Sequence, residues 1–280
     1  MSDSPTSWLV DTGKKKDSDI DLAQTALMLS VLTHPGIVAE RYQHHLSKLT
    51  NDVGARYLEL LKNGAEDTAG TRLASLKHVL ADQEAYTGDE ETYDDLQNAD
   101  LIRVIDRRKG MPIALAILYL HAGRKNNFDV EGLNFPGHFL CRIEHNGVRL
   151  IFDPFSRCEI LEAPQLRELV KRVRGQHAEL SPAYYEPATN REILIRLQNN
   201  LKHRLIEAED YEEALKIVEH LRLIDPDEYR LLFDAGVLYA KTRKVRPAIE
   251  ALEMYIARTT DRQDILDAES ILRQLQESPP

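Results

Sequence analysis

Apolar residues recur at helical spacing between Asp19 and Leu32, as Ile20, Ala23, Leu27 and Val31 with Ala26 widening the stripe, until Pro35 stops the pattern. A second helical pattern carries Ile37, Tyr42, Leu46, Leu49, Val53, Tyr57, Leu60 and Leu61, as one long helix or as two broken near residues 51–54. A third runs from Leu73 to Val79, so the first third of the chain is expected to be helical. Residues 88–100 are acidic and poor in apolar side chains, which predicts a loop before a helix over 101–107. From Met111 to Leu120 the chain offers no solvent face, and a helix apolar all round belongs at a domain centre. Gly110 and Pro112 mark its start, because proline lacks an N–H that the first turn could not pair anyway.

The period then changes to that of strands: Val130 to Asn134, His138 to Glu144 and Val148 to Asp153. Asn146-Gly147 between the last two predicts a two-residue hairpin turn. Counted back from that turn, His145 faces Val148, Ile143 faces Leu150 and Cys141 faces Phe152, with Leu140 opposite Asp153. His138 then shares a face with Asp153 one diagonal step away, within reach of an imidazole–carboxylate hydrogen bond, and Cys141 points to the other face. A one-residue slip would undo the pairing. The same register sets His138 opposite Phe155, so a turn back of the chain would bring Cys158 toward the histidine.

Beyond Pro187 the pattern is helical and repeats. Leu201, Leu205, Tyr211, Ala214, Leu215, Val218 and Leu221 return 34 residues later as Ala235, Tyr239, Val245, Ala248, Ile249, Leu252 and Tyr255, which is the tetratricopeptide period. Ala214 and Ala248 supply the small residue where paired helices cross, and Asp225-Pro226 ends the first unit. Two such repeats cannot bury their faces alone, so they are expected to dock on the preceding domain, with 264–275 as a capping helix. A concave face would present Arg196, Asn199, His203, Arg230, Phe233 and Lys241 as a peptide groove; the alternative is a purely architectural role.

Composition narrows the function classes. The 280 residues carry a formal net charge of −10, which argues against nucleic acid and anionic membrane as partners. The N-terminal stretch holds only Trp8-Leu9-Val10 as an apolar run, and no segment approaches a membrane span, so a cytoplasmic location and a flexible lead-in over 1–17 are expected. Two cysteines, Cys141 and Cys158, are too few for a disulfide framework. Adjacent His44 and His45 point about 100° apart on a helix, and with no metal or cofactor motif none is expected. Arg103, Arg107, Arg108 and Lys109 form a basic cluster suited to pairing with Asp100, Asp106 and the acidic loop, with anion binding as the other reading.

The order Gly110-Met111-Pro112-Ile113, then Asn134-Phe135-Pro136-Gly137-His138, then Phe152-Asp153-Pro154-Phe155 resembles the transglutaminase-like branch of papain-type cysteine enzymes. Followed by tetratricopeptide repeats, it resembles the bacterial SirB-type family over about residues 19–277. The resemblance implies an α+β fold: a helical N-terminal part, a central buried helix and a small antiparallel sheet over 18–180, then an all-α repeat pair over 188–278. It also implies a catalytic cysteine at the start of the central helix, with His138 as its base and Asp153 orienting the base. Positions 111–113 hold no nucleophile, so the expected protein is a non-catalytic binding scaffold or regulator with an unidentified protein or peptide partner. Its ligand site would involve His138, Asp153, Asn134 and Arg108. The rival is a hydrolase or amidase using His138 and Asp153 with Cys158 or an activated water.

Overall fold

The computed structural model describes residues 4–277. They form two compact units: Lys16–Leu197, and the residues up to Lys15 together with those from Gln198 onward. The first element is a helix, α1 (Pro5–Gly13), where a flexible lead-in was expected. Its start was written in the sequence: Ser4 accepts the Ser7 amide at 3.2 Å, and Pro5 takes the first turn. Residues 1–3 lie outside the described residues.

In the larger unit, α2 (Leu22–Thr33) is capped by Asp21, and α3 (Ala39–Lys62) runs unbroken through residues 51–54. Helix α4 (Ala69–Leu76) begins on a Thr68 cap and widens into a π-helical turn over Lys77–Gln83. The acidic stretch after it is a tethered loop. Strand β1 (Thr87–Gly88) pairs in parallel with β2 (Lys109–Gly110), enclosing a 3₁₀ turn at Leu96–Ala99 and helix α5 (Leu101–Arg107). Buried Asp89 accepts from the Thr92 amide, the Thr92 hydroxyl and Arg107 Nη2, the last at 2.6 Å. Burial pushes the Asp89 carboxyl up, but these bonds overrule it and hold the group down at about 2.

Helix α6 (Pro112–Lys125) buries every residue from Pro112 to Gly123, and helices α2 to α5 pack against it. So do strands β3 (Asp129–Leu133) and β4 (Leu140–His145). With β5 (Val148–Asp153) and β6 (Glu159–Ile160) they make one antiparallel sheet in the order β3-β4-β5-β6. Helix α7 (Ala163–Arg174) follows, its start fixed by Gln165 accepting the Glu162 amide at 3.2 Å. Leu166 and Val170 of α7 join Leu133, Phe135 and Leu140 in a cluster of their own.

Helix α8 (Asn190–Glu207) follows and spans the border between Leu197 and Gln198. The smaller unit continues with α9 (Tyr211–Ile224), α10 (Arg230–Lys241), α11 (Val245–Ile256) and α12 (Arg262–Glu277). Helices α9 and α11 start 34 residues apart, as the repeat requires. Gly236 of α10 lies so near α11 that a Cβ there would stand 2.6 Å from Leu252.

Helix α1 packs on α9 in this unit, with Leu9 fully buried and Gly13 against the Leu223 carbonyl. Two repeats lack partners for their outer apolar faces, and α1 covers one of them. Leu9→Ala is expected to cost about 2–5 kcal/mol, read as faster amide hydrogen exchange along α9. Unchanged α9 protection would mean that α1 adds nothing to the repeats.

Candidate functional site

The β4–β5 pairing has the register counted from the Asn146-Gly147 turn: His145 with Val148, Ile143 with Leu150, Cys141 with Phe152. Asn146 and Gly147 both adopt positive φ, as a tight hairpin turn of this kind demands. Just ahead of β4, His138 Nε2 lies 2.9 Å from Asp153 Oδ2 at the end of β5. Asp153 is 5% exposed and fully used: Oδ2 also accepts from the Ser156 hydroxyl at 2.8 Å, and Oδ1 from the Phe155 amide at 2.9 Å. With Nε2 on a carboxylate, the neutral ring keeps its proton there and leaves Nδ1 as an acceptor.

The pair is tied to the start of α6 through short contacts. Gly88 N–H donates to the Phe155 carbonyl at 2.9 Å, while Gly88 pairs with Gly110, the residue before Met111. A Cβ at Gly88 would fall 2.5 Å from the Phe155 ring, and that ring meets His138 edge-on at 6.1 Å between centroids. The Met111 amide donates to the Asn98 carbonyl. The head of this helix presents buried Met111, Pro112 and Ile113, none of which carries a nucleophilic group.

His138 and Asp153 form part of the wall of a cleft of about 720 Å³. Its apolar side is made by Phe155, Leu161, Pro164, Leu169 and Val173, and its polar groups include Glu159, Glu168 and Arg172. Gly137 is needed twice here: its φ is +70°, and a Cβ would lie 2.2 Å from Val173 of α7. Nothing in the motif-based reading pointed to α7 as a cleft wall. Its signal was present as Leu166, Leu169, Val170 and Val173 at helical spacing behind Glu162 and Gln165.

Other candidate residues fall elsewhere. Arg108 is not a wall of the cleft: in left-handed conformation at the end of α5, it donates to Glu84, Tyr86 and the Ile105 carbonyl and covers the Tyr86 ring. Burial, then the Arg108 charge, push neighbouring His45 down to about 4. Asn134 is exposed and accepts from Arg196 at 2.9 Å. Arg196 also donates to the His138 carbonyl at 3.1 Å and lies over Phe139, so it braces the His138 segment. Phe233 packs against Tyr255 inside the repeats, since a half-buried ring at that position fills the α10–α11 seam. Exposed Arg230 forks onto Glu228, and Lys241 covers Tyr211. His203 is exposed, and Asn199 Oδ1 is a buried oxygen with no partner.

Cys158 is 1% exposed, and burial pushes its thiol far above the usual range; Cys141 is wholly buried with its thiol raised for the same reason. Neither is a wall residue of the cleft. Among the described residues no cluster of three histidine, cysteine or carboxylate side chains could hold a metal ion, and no helix is long and apolar enough to cross a membrane.

The transglutaminase-like superfamily matches residues 40–199, and the tetratricopeptide repeat matches residues 201–273. The chain belongs to the transglutaminase-like superfamily, with an α+β domain followed by tetratricopeptide repeats. It is 27% identical to a UPF0162 protein of Xylella fastidiosa over 86% of this chain and 84% of that one. It is 28% identical to a UPF0162 protein of Vibrio cholerae over 86% and 88%. The human F-box only protein 21 is 28% identical over 60% of this chain and 27% of its own length. No solved structure matches.

Both thiols are expected to react with an electrophile at pH 7 at least ~100-fold more slowly than a free cysteine, equally in wild type and His138→Ala, as read by peptide mass spectrometry. Fast labelling of Cys158 that depends on His138 would make it an activated nucleophile. A second expectation concerns acid. His45 protonates near 6.5 when unfolded and about 4 when folded, so its stabilising effect is complete above 6.5 and lost as pH falls through 4. Residual solvent access to the partly buried ring limits the loss to on the order of 1 kcal/mol. Urea midpoints at pH 7 and pH 4.5 should therefore differ less in His45→Gln than in wild type.

Proposed function

We propose that the protein is a non-catalytic transglutaminase-like binding module of the SirB type, in which the cleft beside His138 and Asp153 captures a protein or peptide ligand in the cytoplasm. The observation that carries this reading is the pairing of a cleft of about 720 Å³ and an intact His138–Asp153 contact with Met111, Pro112 and Ile113 at the helix start. Binding requires walls, hydrogen-bonding groups and access, all of which remain. Acyl transfer requires a nucleophile, and a thioether, a proline ring and an isoleucine supply none.

The tetratricopeptide part supports protein interaction as the general role. The hydrolase reading with Cys158 finds little support, because a buried neutral thiol set off the cleft walls lacks both activation and access. An amine-incorporation assay with casein and a fluorescent amine, together with a p-nitrophenyl acetate hydrolysis assay, should give the same background for wild type, His138→Ala and Asp153→Asn. A rate above background that falls at least ~100-fold on loss of His138 would return the protein to the enzymes.

A further inference from the structure

The sheet stops at β6, and the next residues turn away into α7. Ile160 pairs with Phe152, while the following amide, Leu161 N–H, donates to the Ile151 carbonyl at 2.8 Å. Backbone groups alternate sides along an antiparallel strand. The N–H and C=O of Ile160 therefore point off the open edge.

Natural edges are blunted with charge, proline or bulges against unwanted pairing. This one presents an apolar side chain, Ile160, at 46% exposure, near a cleft whose α7 wall carries Val173 at 57% exposure. The segment that delivers β6 is also held in a costly conformation. Arg157 and Cys158 both have positive φ, +51° and +63°, and the Cys158 amide is fixed on the Asp153 carbonyl at 2.8 Å.

Charge selects among occupants. Glu159 is exposed and forms no ion pair among the described residues, and Glu168 has only Lys171 of its own helix at 3.7 Å. Against these two and Asp153 the cleft walls set a single arginine, Arg172. We propose that the edge of β6 docks an extended segment of a partner protein by main-chain pairing with Ile160, a basic side chain of that segment meeting Glu159 and an apolar one entering the cleft. This rests on the cleft being a ligand site, and it names the class of ligand.

The probe is a fluorescein-labelled, end-blocked eight-residue peptide with threonine at every odd position and lysine and valine taking turns at the even ones, so that lysine and valine share one face of the strand; it is titrated with the full-length protein and followed by anisotropy. Binding is expected, weakened at least ~tenfold by N-methylation of alternate peptide amides, by glutamate in place of lysine, and by Glu159→Lys. N-methylation leaves the protein untouched, so its effect is independent of any folding defect. Equal binding of the N-methylated peptide would overturn strand pairing while leaving the cleft as a ligand site. No binding of the unmodified peptide up to ~1 mM, the affinity of a contact near 4 kcal/mol, would overturn the proposal; the turnover assays still decide separately whether the cleft is catalytic. A dimer in sedimentation that dissociates in Ile160→Lys would instead assign the edge to a second copy of this chain.

Discussion

Helix α6 has no polar side to give to water, and the larger unit is arranged around that constraint. Every side chain from Pro112 to Gly123 is buried, and each large one removed from water contributes about 1.5–3 kcal/mol. Cover must come from all directions, and α2 to α5 with β3 and β4 provide it. The arrangement tolerates a cost: the Tyr119 hydroxyl is buried in α6 with no hydrogen-bond partner, a loss of about 1–3 kcal/mol. Once α6 is placed, its first residues are placed too. Through Asn98, β1 and the Phe155 carbonyl, they locate the turn on which Asp153 sits.

Elements whose physics is local could be read from the chain alone. The Asn-Gly turn set a register and therefore a face, and the contact of His138 with Asp153 follows from counting residues. The 34-residue period and the wholly apolar stretch were equally direct. Ser4-Pro5 at the start of α1 and the stripe from Leu166 to Val173 in α7 are local signals of the same kind. What sequence could not supply was long-range partnering. Arg108 and Arg196 look like ligand-seeking cations on their own helices, yet each is consumed by groups from distant segments, Glu84 and Tyr86 in one case and Asn134 with the His138 carbonyl in the other.

A histidine facing an aspartate is commonly taken as a sign of chemistry, and here the hydrogen bonds argue for separating the two. Asp153 has work to do even if His138 does nothing, since its carboxylate holds the Phe155 amide and the Ser156 hydroxyl. Replacing it would leave the partly buried Phe155 amide and His138 ring without this acceptor, at up to about 1–3 kcal/mol each. His138 is different. Its ring gives one nitrogen to that carboxylate and contributes to the cleft wall, while its backbone carbonyl is braced by Arg196. The carboxylate is thus committed to the turn, and the imidazole is the member of the pair left to meet a ligand. With Met111, Pro112 and Ile113 at the head of α6, the geometry is that of a rigid polar contact at the side of a cleft walled largely by apolar groups.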